Sequence, residues 1–150
     1  MNCCLYLKNY ENIKFIFIGG GIKNKAILKF AKEKKLNNCT FLPYQDLDQL
    51  PYSLTCADLA LITIEDGMES LIAPSKLYGH LAAGTCIAVI SPKNCYLKDI
   101  ISKEKFGKWF QNGDYIGLSK WINHLSKDKK EIKKMKYLSR KYIENYASLE

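Results

Sequence analysis

The run from Ala73 to Ile90, APSKLYGHLAAGTCIAVI, constrains the fold more than any other stretch, because its periodicity changes partway from helical to extended. Pro74 suits a first helical turn, where its missing N–H is an orphan anyway. Ser75 and Lys76 then fall where free backbone N–H groups and the positive end of the helix dipole point outward, which makes a seat for an anion. Leu77 and Leu81, four apart, give the helix an inward face. Gly84-Thr85 stops it, and Cys86-Ile87-Ala88-Val89-Ile90 has the unbroken apolar run of a strand buried in a parallel sheet. Gly79 breaks the pattern, since a mid-helix glycine costs about 1 kcal/mol relative to alanine. It reads either as tight helix packing or as a place where a ligand approaches the backbone.

Strands alternate with helices along the rest of the chain. Residues 1–10 read as the end of a helix, with Leu5, Tyr6 and Leu7 apolar. Ile13–Ile18 is a strand entering Gly19-Gly20-Gly21, and residues 22–35 form an amphipathic helix with Ile22, Ala26, Ile27, Phe30 and Ala31 on one side. Cys39–Leu42 is a second strand. A helix over Leu47–Thr55 directs Leu50 and Leu54 inward, and Asp58–Ile64 is a third strand. After the fourth strand come a helix over Tyr96–Lys103, a short edge strand over Phe106–Phe110 and a helix over Ile116–Leu125. Lys127–Tyr146 is a basic helix whose Ile132, Met135, Leu138, Tyr142, Ile143 and Tyr146 keep helical spacing. This order argues for an α/β fold, a Rossmann-like doubly wound parallel sheet of five strands, in one domain over residues 1–150.

Composition narrows the partners. The net charge is +8, yet of 23 basic residues only Arg140 is an arginine, whereas surfaces that clamp phosphates and read bases lean on arginine. Nucleic acid is therefore not expected, and most of the charge reads as solvated surface. The basic tail over residues 127–150 follows the same reading, with peripheral contact at a membrane surface as its alternative. No apolar run reaches the roughly 20 residues of a membrane span, and MNCCLYLKNYENIK lacks the blocks of a signal peptide. Cytosol is the default compartment. The six cysteines show no CxxC pairing, which argues against a zinc site or a disulfide framework, and Cys56 and Cys86 read as packed small hydrophobes.

In parallel α/β sheets ligands bind beyond the carboxyl ends of the strands. Those ends carry Gly19–Gly21, Pro43-Tyr44-Gln45, the loop holding Glu65, Asp66 and Glu69, and Ser91-Pro92. A glycine turn from strand to helix lets backbone N–H groups approach a phosphate closely. GGGIKNKA lacks the third glycine of GxGxxG and the acidic ribose partner about 20 residues on, which disfavours a dinucleotide-binding oxidoreductase. Glu65, Asp66 and Glu69 read either as an ordinary polar loop or as carboxylates for sugar hydroxyls. His80 reads as a packed or surface histidine, and no nucleophile constellation stands out, so catalytic residues are unassigned.

Together FIFIGGG, NNCTFLPYQDLDQLPYSLTCADLALITI and GMESLIAPSKLYGHLAAGTCIAVI resemble the C-terminal, donor-binding half of group 1 (family 4) glycosyltransferases of the GT-B fold. The closest likeness is to enzymes of surface polysaccharide synthesis with a PSK-x-Y-G-x-x-A-A-G signature. The resemblance implies binding of a nucleotide-diphosphate sugar, UDP-type, without metal or other cofactor. It places Gly19, Gly20 and Gly21 near the diphosphate and sugar, Pro43 and Tyr44 beside the base, Pro74, Ser75 and Lys76 at the diphosphate, and Glu69 at the sugar hydroxyls. Many relatives carry two glutamates eight residues apart. Simple register puts Leu71 and Gly79 there, which suits the PSK type but leaves the ribose contact unassigned.

Relatives also have an acceptor domain and a first strand with a basic glycine loop ahead of this segment. The expectation is thus a donor domain lacking its first strand and inactive alone, with a missing or separately encoded acceptor partner. The alternative is a non-catalytic remnant or interaction domain.

Overall fold

The computed structural model describes residues 1–68 and 75–147. The chain forms two compact units, Met1–Leu50 with Tyr115–Lys127 and Pro51–Asp114 with Asp128–Glu150. Helices and strands alternate, and every strand pairing is parallel. This is the α/β, Rossmann-like class expected from the sequence.

In the first unit, α1 (Asn2–Tyr6) precedes β1 (Phe15–Ile18), α2 (Asn24–Glu33) and β2 (Cys39–Leu42), and α6 (Tyr115–Leu125) completes it. β1 and β2 pair in register from Phe15↔Cys39 to Ile18↔Leu42. Phe17 and Phe41 stack on one face at 5.0 Å. Ile16, Ile18 and Leu42 are exposed on the other. Cys3, Cys4 and Leu7 are buried at the start of the chain, as are Leu118, Trp121, Ile122 and Leu125 of α6. Ser119 donates from Oγ to the Tyr115 carbonyl at 2.6 Å and reaches Cys3 Sγ at 3.1 Å. The buried Asn38 amide donates to the Cys4 carbonyl at 2.9 Å, which fixes α1 to the entry of β2.

Two details of α2 depart from the sequence reading. The chain turns through Gly21, whose carbonyl accepts from Asn24 N–H at 2.9 Å, so the helix starts at Asn24 and leaves Ile22 fully exposed ahead of it. Ala26 is exposed as well; the buried side is carried by Ala31, with Ile27 and Phe30 half-buried.

In the second unit, a 3₁₀ turn (Leu47–Gln49) in the preceding segment leads into α3 (Leu50–Thr55). Then come β3 (Leu59–Thr63), α4 (Ser75–Ala82), β4 (Cys86–Ser91), α5 (Tyr96–Glu104), β5 (Gly107–Gln111) and α7 (Lys129–Ala147). The sheet order is β3-β4-β5. β4 is central, and its Cys86, Ile87, Ala88 and Val89 are all buried, which explains its continuous apolar run. Ala60, Ile62, Leu77, Leu81, Ile101 and Phe106 form the core around it, with Tyr142 of α7 against Phe106 at 5.1 Å between ring centres.

α4 ends as its sequence requires. Gly84 takes φ +65°, Thr85 N–H donates to the His80 carbonyl at 2.9 Å, and Gly84 N–H to Leu81 at 3.0 Å. This pair of bonds is a Schellman motif. α7 clasps the same end: Arg140 donates to the Ala82 carbonyl and Ser139 to the Thr85 carbonyl, both at 2.7 Å.

The five expected strands are present, but in two sheets of two and three rather than one. Among the described residues β1 and β2 ladder only with each other, and β3 only with β4, so each of these three keeps one edge without a strand partner. Two further side chains were expected inward and are not. Leu50 is exposed because it opens α3 directly from the 3₁₀ turn, whereas Leu54 is half-buried. Cys56 is exposed just beyond α3, with its thiol on the Ser53 carbonyl at 3.2 Å.

Candidate functional site

The glycine turn is built where β1 leaves its sheet. Gly19 N–H continues the ladder to the Leu42 carbonyl at 3.0 Å, and φ +99° then swings the chain outward. No other residue takes that angle without strain. The N–H groups of Gly20 and Gly21 have no protein partner among the described residues. They point from a strand end into a helix start, the arrangement that holds phosphate oxygens.

Because β2 runs parallel to β1, Pro43 and Tyr44 emerge beside this turn. The sequence reading sets Tyr44 next to a base; in the structure its ring lies on the glycines themselves. A Cβ on Gly19 would sit 3.0 Å from Tyr44 Cε1, and one on Gly20 3.4 Å from Cε2. The phenol donates to the Gly20 carbonyl at 2.6 Å. Gly19 is thus kept by its φ and by Tyr44, whereas a Cβ on Gly20 would make only ordinary contact with the ring and one on Gly21 would meet nothing within 4 Å. Tyr44 remains 78% exposed, so the same ring has a free face.

The second unit carries the helix expected at the diphosphate. Ser75 and Lys76 open α4 and are exposed, while Leu77 and Leu81 are buried beneath them. α4 is the crossover between parallel strands β3 and β4, so its first turn lies on the side of their carboxyl ends. Gly79 faces Leu54, whose Cδ1 would be 3.4 Å from an added Cβ. That is ordinary van der Waals contact, so packing does not by itself require glycine here. His80 is half-buried, and its Nδ1 is buried without a partner. Burial, then the Lys76 charge one turn earlier, lower its pKa from the usual imidazole value. A neutral, packed imidazole follows. Glu69 and Pro74 lie outside the described residues.

One residue escaped sequence reasoning. Asn112 N–H donates to the Ser91 carbonyl at 3.2 Å, and its side-chain amide donates to the Ile64 carbonyl at 3.0 Å and to Asp66 Oδ1 at 2.9 Å. It ties together the carboxyl ends of β3, β4 and β5 and anchors the acidic loop at Asp66. Locally Asn112-Gly113-Asp114 reads only as a turn before a helix, and no short-range pattern announces bonds to Ile64 and Asp66.

All six cysteines are free thiols. Burial pushes Cys4 up to about 12 and Cys86 up to about 11, which makes both poor nucleophiles and poor metal ligands as they stand.

The sequence pattern of the family described as "Glycosyl transferases group 1" matches residues 5–142. Over 121 residues the chain is 28% identical to a protein titled "Probable glycosyltransferase WbjE" from Pseudomonas aeruginosa, covering 81% of this chain and 30% of that one. Over 74 residues it is 34% identical to "Putative colanic acid biosynthesis glycosyl transferase WcaI" from Escherichia coli (strain K12), covering 49% and 18% respectively. The chain thus spans less than a third of either relative's length. A match over nearly all of its residues, on parallel α/β units with a glycine turn after β1 and a Ser-Lys start to α4, settles the kinship: the chain belongs to the group 1 glycosyltransferases.

Proposed function

We propose that this chain is the donor-binding part of a glycosyltransferase, taking a nucleotide-diphosphate sugar of the UDP type. The observation that carries the reading is the pair of unpartnered N–H groups at Gly20 and Gly21, placed at a strand end where phosphate oxygens can accept from them. In the second unit, exposed Ser75 and Lys76 at the start of α4 offer a phosphate a hydroxyl, an ammonium and a positive helix end of their own. Pro43 and the free face of Tyr44 suit a base, and Glu69, with Pro74 ahead of Ser75, fits the resemblance's assignment to sugar and phosphate. Positive groups of this kind stabilise a leaving diphosphate without a metal. An acceptor-binding half comes from sequence beyond these residues or from a partner, and the PSK-type enzymes of surface polysaccharide synthesis are the subgroup this reading favours.

Calorimetric titration of UDP and UDP-sugars, with Lys76→Ala in parallel, tests this. Loss of one charge-assisted bond would weaken binding by roughly tenfold or more. Absence of UDP binding by the folded wild-type chain would refute a donor site that works on its own. A second reading, a domain whose pocket no longer binds, draws on the Tyr44 ring occupying the glycine turn. It would gain if Tyr44→Ala also failed to bind UDP.

A further inference from the structure

The outward face of α7 is more organised than a generally basic helix. At about 100° per residue, Lys130, Lys133, Lys134, Tyr137 and Lys141 fall within one wedge of roughly 100°. All five are exposed, Tyr137 by 65%. None of the four ammonium groups has an acidic partner among the described residues. Glu144, an acid on that side of the helix, is held by Arg140 at 2.6 Å. The opposite face is fixed: Tyr142 is buried, Ser139 bonds the Thr85 carbonyl, and Lys136 pairs with Asp58 at 2.9 Å. The helix cannot roll its lysines inward, so they stand as a permanent row about 16 Å long from Lys130 to Lys141.

We propose that this face docks on an anionic lipid surface. Four lysines in a straight row match the phosphate plane of a bilayer, and their long stems let the charges reach headgroups while the helix lies flat. Tyr137 at the centre has the apolar ring and polar tip that settle at the water–lipid boundary. The row contains no arginine, and Arg140 beside it is committed to Glu144 and Ala82, so the geometry that clamps nucleic acid is lacking. With one aromatic anchor, attachment is electrostatic, reversible and sensitive to salt.

The test is sedimentation of the full chain with phosphatidylcholine vesicles, with and without about a third phosphatidylglycerol, at low and high salt. The comparison set is Lys130→Gln/Lys133→Gln/Lys134→Gln/Lys141→Gln against a control of equal charge, Lys14→Gln/Lys25→Gln/Lys32→Gln/Lys34→Gln. Wild type and control should bind the anionic vesicles at low salt, and the α7 variant should bind roughly a thousandfold more weakly. Equal loss in the control would reduce the effect to net charge and overturn the proposal, as would binding to neutral vesicles or none at all. A single-stranded oligonucleotide that displaces the vesicles and binds wild type but not the α7 variant would reassign the face to nucleic acid. UDP titration of the α7 variant should match wild type, which keeps this outcome separate from that of the donor site.

Discussion

The phenol of Tyr44 donates to the carbonyl of Gly20 at 2.6 Å, laying its ring across the turn where the N–H groups of Gly20 and Gly21 have no protein partner among the described residues. A diphosphate and this ring want the same surface. Tyr44→Phe keeps the ring and removes the hydrogen bond, worth about 1 kcal/mol. UDP affinity should rise roughly fivefold in calorimetry. An unchanged or weaker affinity would show that the bond does not hold the turn closed.

Gly79 has room for a methyl group beside Leu54. Gly79→Ala should therefore raise stability by up to about 1 kcal/mol, the helix propensity difference. Urea unfolding measures this. A more stable protein with weaker UDP binding would identify Gly79 as a point of ligand approach.

Gly107 is the opposite case. A Cβ there would lie 1.8 Å from the Ile87 carbonyl oxygen, on the backbone of the adjacent strand. Gly107→Ala must separate β4 from β5 and should cost about 3 kcal/mol or more. Gly21→Ala, facing open space, should stay within about 1 kcal/mol in the same assay.

The thiols predict a loss of stability in alkali. Folded Cys4 and Cys86 hold their protons to about 12 and about 11, against 9.0 for an ordinary cysteine thiol. Above pH 9 the unfolded chain sheds these protons while the folded chain keeps them. Stability is then full below pH 9 and falls as pH rises toward 11 and 12. Urea midpoints across that range check the direction, and Cys4→Ala/Cys86→Ala should flatten the curve.

The elements were legible because each carries its own period or stop: IKFIFI, CTFL and CIAVI for strands, Gly84-Thr85 for the end of α4. Leu77 and Leu81 are buried as their spacing requires. Long-range contacts were not legible. Nothing near Tyr44 announces a bond to Gly20, 24 residues earlier. Nothing near Gly107 announces the Ile87 carbonyl, since a close approach belongs to two strands at once. Division into two sheets was hidden for the same reason: periodicity identifies a strand but not its neighbour.

The Ser119–Cys3 contact joins residues 116 positions apart. Loops of that length close slowly. During synthesis α1, β1, α2 and β2 emerge early, yet α6, which completes their unit, follows only after most of the other unit has been made. In that interval Cys3 of α1 lacks its contact with Ser119, and the β1 edge, with Ile16, Ile18 and Leu42 exposed beside it as they are in the finished fold, is a target for wrong partners. The order of translation thus sets a window of vulnerability, and chaperone demand should depend on how quickly residues 115–127 follow.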